Sequence, residues 1–153
     1  MEPRYQRIAS ESIPAVDRDG IKVRVIAGDF EDTHGPAETL MPLFLWHVTL
    51  PPGKRFEATT DPSFEAAGYV IAGEGRFGIE DVSKASAGQL AIWKDGEGTL
   101  SVENAADKPL DLLVLGGAPA EGPLVFHGPF VMNSVEQIRA AEVAYRTGRM
   151  GSL

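Results

Sequence analysis

With 153 residues, 43% of them apolar, the chain is long enough for one domain with its own core. A net charge of −8 excludes general binding to nucleic acid or anionic membranes, which need a basic surface. The lack of cysteine excludes disulfides, zinc–thiolate sites and a cysteine nucleophile.

Seventeen glycines and eleven prolines mean many turns and favour an all-β chain. The start, MEPRYQRIAS, has no apolar signal-peptide core. No run approaches the ~18 apolar residues of a membrane span, so a cytoplasmic protein is expected. Residues 21–26, IKVRVI, alternate: Ile21, Val23 and Val25 fall on one face, Lys22 and Arg24 on the other, as in a half-buried strand. Residues 28–36 read as a loop. MPLFLWHVTL, 41–50, reads as a longer strand ended by Pro51-Pro52-Gly53. Its core face is Phe44, Trp46, Val48 and Leu50; Leu43, Leu45, His47 and Thr49 face away.

AGYVIAGEGRFGIE, 67–80, reads as two strands joined by a tight turn at Gly73-Glu74-Gly75. QLAIW, 89–93, is a further strand, KDGEG, 94–98, a turn, and TLSVE, 99–103, an alternating strand. LDLLVLGG, 110–117, reads as a near-continuous buried strand. The glycine pairs at 73–75, 96–98 and 116–117 read as hairpin turns, because none leads from a strand into a helix start where phosphate could be held. At least seven short strands at even spacing fit a sandwich, jelly roll or closed barrel. Only the end is helical. Asn133 or Ser134 can cap it, Ser134 and Gln137 have capping-box spacing, Val135, Ile138, Ala141 and Tyr145 share a face, and Gly148 stops the helix, giving a span of about 134–147. Phe130-Val131-Met132 and Tyr145 are expected to be buried, with the helix outside the barrel. No repeat or linker divides the chain, so residues 1–153 are expected to be one domain.

PLVFHGPFVMNSVEQIRAAEVAYRTGRMG, at the end, resembles the C-terminal tail of the pirins, a two-cupin family. IKVRVIAGDF, TLMPLFLWHVTLPPGKRF, GYVIAGEGRFGIE, DGEGTLSVEN and LLVLGGAPAEGP follow the order of the pirin C-terminal cupin. The resemblance covers nearly the whole chain and implies an all-β cupin, a jelly-roll barrel of the double-stranded β-helix type, with one C-terminal α-helix packed outside. It also implies that iron belongs to the other, N-terminal cupin, on three histidines and one glutamate. The positions here that match those ligands are Thr59, Asp61, Ser101 and Glu103. No histidine lies between His47 and His127, so no shift of register restores an imidazole.

Scattered hydroxyls and carboxylates hold iron, nickel or copper poorly, so no metal or other cofactor is expected. The alternative is iron or another divalent metal, with Asp61 and Glu103 as its carboxylates. His34, His47 and His127 have no ligand spacing and read as structural, His127 with its ring bonded to backbone. Serine nucleophile patterns are absent, and Asp29, Glu31 and Asp32 read as a solvated loop. Trp46, Phe56, Tyr69 and Trp93 either fill the core or line a barrel mouth for a small apolar or aromatic ligand. Two functional classes follow: a metal-free module binding a small molecule or a protein partner, or a metal-dependent dioxygenase of the quercetin-oxidising kind that the resemblance implies. Leu43 and Leu45 suit a homodimer through the outer face of the 41–50 strand, with His47 and Thr49 toward its rim. A heteromer with a separate iron-bearing cupin is the alternative.

Overall fold

The computed structural model describes residues 5–94, 96 and 98–150; Asp95 and Glu97 of the predicted 94–98 turn lie outside the described residues. Contacts divide the chain into two compact units, residues 7–119 and the C-terminal stretch from Ala120, the latter grouped with Tyr5 and Gln6.

Among its described residues the larger unit holds twelve strands: β1 (Ala15–Arg18), β2 (Ile21–Ala27), β3 (Asp29–Phe30), β4 (Thr33–His34), β5 (Leu43–Leu50), β6 (Arg55–Thr59), β7 (Glu65–Ala72), β8 (Glu74–Phe77), β9 (Ser83–Ser86), β10 (Leu90–Ile92), β11 (Thr99–Glu103) and β12 (Leu110–Gly117). They build a six-stranded sheet, β1-β2-β5-β12-β7-β10, and a four-stranded sheet, β6-β11-β8-β9, with β3 and β4 forming a small hairpin. All pairings between these strands are antiparallel. This is the jelly-roll arrangement expected of a cupin.

Side-chain alternation explains the layers. In β5, Phe44, Trp46, Val48 and Leu50 are buried and Leu43, Leu45, His47 and Thr49 are not. Facing them from the four-stranded sheet, Phe56, Ala58, Leu100, Val102 and Phe77 join the same core. Two glycines make room for large rings between the sheets. A Cβ at Gly68 would come within 2.7 Å of Phe77 and 3.1 Å of Trp93, and one at Gly116 within 2.5 Å of Phe44. The interior is thus filled by aromatic rings laid over bare backbone.

Several expectations change. Gly73 does not close a hairpin: β7 and β8 belong to different sheets. Gly73, at φ 84°, carries the chain across, where a Cβ would strike the Pro109 carbonyl at 2.7 Å. β10 and β11 likewise belong to different sheets, and Gly116-Gly117 lie within β12 rather than in a turn. β12 alternates instead of being buried throughout, with Leu115 38% exposed. The 28–36 loop contains the β3–β4 hairpin, and β1, β6 and β9 are strands beyond those expected from the sequence.

Asn104, fully buried, holds two turns. Its Nδ2 donates to the carbonyls of Leu50 and Lys108, and its Oδ1 accepts from the Ala106 amide.

In the C-terminal unit, β13 (Val125–His127) and β14 (Phe130–Met132) form a hairpin with Gly128-Pro129 at its tip, followed by helix α1 (Val135–Arg146). Ser134 caps the helix by accepting from the Gln137 amide, while Gln137 Oε1 accepts from the Asn133 amide. Asn133 Nδ2 donates to the carbonyls of Glu121 and Pro123, which fixes the loop before the hairpin. The HGPFVMN run is therefore a hairpin and a helix start tied together by one asparagine. The expected burial of the tail does not hold: Val131 is 49% and Tyr145 69% exposed, and only Ile138 and Ala141 of the helix are buried. Phe130 packs edge-on against Tyr145 at 6.2 Å. His127 bonds Glu142 on the helix at 3.1 Å rather than backbone. No helix among the described residues is long and apolar enough to cross a membrane.

Candidate functional site

A cavity of about 300 Å³ opens where the β3–β4 hairpin, the start of β5 and the end of β6 meet. Phe44, Trp46 and Phe64 form its apolar side, and Asp29, His34, Thr59, Thr60 and Asp61 are among its polar lining. The rings are ordered by the pleat. Phe44 and Trp46 are both inward residues of β5 and stack at 4.4 Å, and Phe64 stacks on Phe44 at 6.4 Å. Phe30 meets Trp46 edge-on at 5.1 Å, and Phe56 meets it edge-on at 6.5 Å.

The polar side is made by two turns. Asp61 Oδ1 accepts from the amide and hydroxyl of Ser63, at 2.8 and 2.7 Å. These bonds to the charged form hold the Asp61 carboxyl below its usual pKa. Asp29 and His34 pair across the β3–β4 hairpin at 2.6 Å. Trp46 is 2% exposed, and its indole Nε1 is buried without a hydrogen-bond partner. A buried donor in this condition costs about 1–3 kcal/mol.

The positions matched to metal ligands do not converge. Thr59 and Asp61 share the rim of the cavity. Ser101 is 1% exposed, in the middle of β11. Glu103 pairs with Arg55 at 3.2 Å. Inward places on β6 and β11 go to Phe56, Ala58, Leu100 and Val102. No cluster of three or more His, Cys, Asp or Glu among the described residues has metal-binding geometry. The donor set present, two hydroxyls and two separated carboxylates, does not fit iron.

The four aromatic residues expected at a mouth are dispersed. Trp46 lines the cavity and Phe56 packs behind it, fully buried. Trp93 belongs to a second aromatic pair with Phe77, 5.6 Å away, and its Nε1 donates to the Ser101 carbonyl. Tyr69 is 40% exposed on the other face of the six-stranded sheet. Of the histidines, only His34 reaches the cavity; His47 bonds Asp111 on the outer face. Phe44 and Phe64 were missed as site residues. Phe44 carries the signature of any core position, and nothing in the residues around Phe64 marks its stacking.

Residues 45–151 match the family model of the pirin C-terminal cupin domain. The chain belongs to this family. Among relatives, a pirin-like protein of Solanum lycopersicum is 35% identical over 99% of this chain and 52% of its own length. Human pirin is 30% identical over 99% of this chain and 52% of its own. A crystal structure of quercetin 2,3-dioxygenase from Acinetobacter baumannii superposes with a TM-score of 0.83 at 30% identity, covering 97% of this chain and 51% of that one. This pirin C-terminal cupin thus spans about half the length of the curated relatives it matches.

Proposed function

We propose that this pirin-type cupin is a metal-free binding module, working in the cytoplasm, whose small-molecule site is the cavity beside Trp46. The observation that carries this reading is the filled interior: Phe44 over Gly116 and Phe77 with Trp93 over Gly68 occupy the space between the sheets. Open volume lies at the margins: one cavity against stacked Phe44, Trp46 and Phe64, and one of about 360 Å³ beside Phe77 and Trp93 whose other lining includes Asp81, Ser83 and Lys94. The first carries the larger aromatic wall. A flat aromatic ligand suits such a wall, and the hydroxyls and carboxylates of Thr59, Thr60, Asp29 and Asp61 suit donors on its edge.

The second reading is a metal-dependent dioxygenase, favoured by the likeness to the quercetin 2,3-dioxygenase of Acinetobacter baumannii. That protein is about twice as long as the stretch matched here, and the ligand positions in this chain hold Thr, Asp, Ser and Glu.

Elemental analysis of the purified chain and anaerobic calorimetry with quercetin separate the two. The binding module contains well under one transition metal per chain, binds the flavonol without oxygen uptake, and loses affinity in Phe64→Ala. Stoichiometric iron, copper or nickel held by barrel residues, with oxygen consumed on adding quercetin, would reverse the assignment.

A further inference from the structure

The outer face of the six-stranded sheet is divided into two halves. Around Arg24, His47, Thr49 and Asp111 it is polar and satisfied within the chain. His47 Nε2 bonds Asp111 Oδ1 at 2.8 Å, the Thr49 hydroxyl donates to the same oxygen at 3.0 Å, and Arg24 donates to the carbonyl and hydroxyl of Ser10. Beyond these groups it is apolar, from Leu43 and Leu45 of β5 across β12 and β7 to β10. Pairing sets the rows: Leu113 lies beside Tyr69 and Tyr69 beside Leu90, while Leu115 lies beside Ala67 and Ala67 beside Ile92. Exposure rises toward the sheet edge, from Leu115 at 38% and Tyr69 at 40% through Leu90 at 54% to Ile92 at 75%.

We infer that this apolar half is a self-association surface that docks a second copy of the chain about a two-fold axis. Together with Ile71, Leu43 and the outer side of Leu45, these side chains form one continuous apolar face, and such contiguous exposed apolar surface marks an interaction site.

The occupant follows from what the sandwich offers elsewhere. The opposite sheet shows Arg55, Arg76, Lys84 and Glu103 on its outside, and a head-to-tail contact would press the apolar half onto such charges. A two-fold axis over Tyr69 and Leu115 instead sets the patch on its own copy and leaves each polar half at the rim. The chain is then its own best complement. The centre of this surface is β7, β10 and β12, with the strand at 41–50 at its margin.

Sedimentation velocity on the full chain at micromolar concentration tests this. The expected species has twice the 16.4 kDa chain mass. Ile92→Lys and Leu90→Lys each alter a side chain that is mostly open to solvent, and each weakens the dimer by at least about tenfold. Lys84→Glu, on the other sheet, leaves it unchanged, and Leu45→Asp weakens it less than Ile92→Lys does. A reading without substitution comes from tyrosine nitration. Modification of Tyr69 slows as concentration rises through the association range, while that of Tyr5, 90% exposed, does not. A clean monomer, or a dimer with Tyr69 unprotected and indifferent to both lysines, overturns the inference.

Discussion

The two outer faces of the sandwich obey the same pleat and carry opposite chemistry. Outside the four-stranded sheet, Arg55 pairs with Glu103, and Arg76 and Lys84 continue the row across β8 and β9. Outside the six-stranded sheet, the corresponding places on β12, β7 and β10 hold leucine, tyrosine and isoleucine. The inner faces differ little, since both fill one core. Burying a core explains the inward residues of every strand and none of the outward ones. An outward row of charge needs only water, whereas an outward row of large apolar groups points to contact with something else.

The comparison is sharpest along β12, where one strand serves both demands. Leu112 is fully buried, and Leu112→Ala should cost about 2–5 kcal/mol in denaturant unfolding. Leu115→Ala, three residues on, should cost under about 1 kcal/mol in dilute monomer. Equal losses would mean that the outer face is packed within the chain. Asn104→Ala removes three hydrogen bonds at a fully buried site where turns of the two sheets meet. A loss of about 2–3 kcal/mol is expected, and a calorimetric Tm unchanged by the substitution would show that those turns hold without it.

On the charged face, Arg55→Ala should cost no more than about 1 kcal/mol, because exposed ion pairs contribute little, and added salt should narrow the difference from the parent. A larger loss would make that face structural. The smallest effect belongs to Asp61, whose pKa is lowered from 3.8 by the Ser63 bonds. A lowered folded pKa contributes stability above the unfolded value that is lost as pH falls through the folded one. The carboxyl should therefore titrate by NMR below 3.8, and Ser63→Ala should move the midpoint up toward that value.

Much of this organisation is legible in the amino-acid order. The alternation at 41–50 and 99–103 names the inward residues, because a half-buried strand must alternate. Ser134 and Gln137 announce the helix start, because orphan amides need acceptors. The cavity is less legible. Phe44, Trp46 and Phe64 are eighteen to twenty residues apart at their extremes, and their stacking depends on β5 lying against the turn after β6. Gly73 was misread for a related reason. A positive φ marks a reversal of direction but not whether the next strand returns to the same sheet. Val131 and Tyr145 were misplaced because short apolar runs carry no mark of what lies beside them.

The orphaned indole of Trp46 has a practical consequence. The chain has two tryptophans, and they differ in the feature to which indole spectroscopy is sensitive. Trp93 donates its proton to a carbonyl, whereas Trp46 has no acceptor. Their side-chain proton resonances should be well separated, with that of Trp93 shifted downfield by its bond. Each sits in its own aromatic cluster, Trp46 with Phe30, Phe44 and Phe56, Trp93 with Phe77. The molecule therefore carries two internal beacons of distinguishable frequency, one beside the cavity of Phe44 and Phe64 and one beside the cavity of Phe77, readable without any label attached.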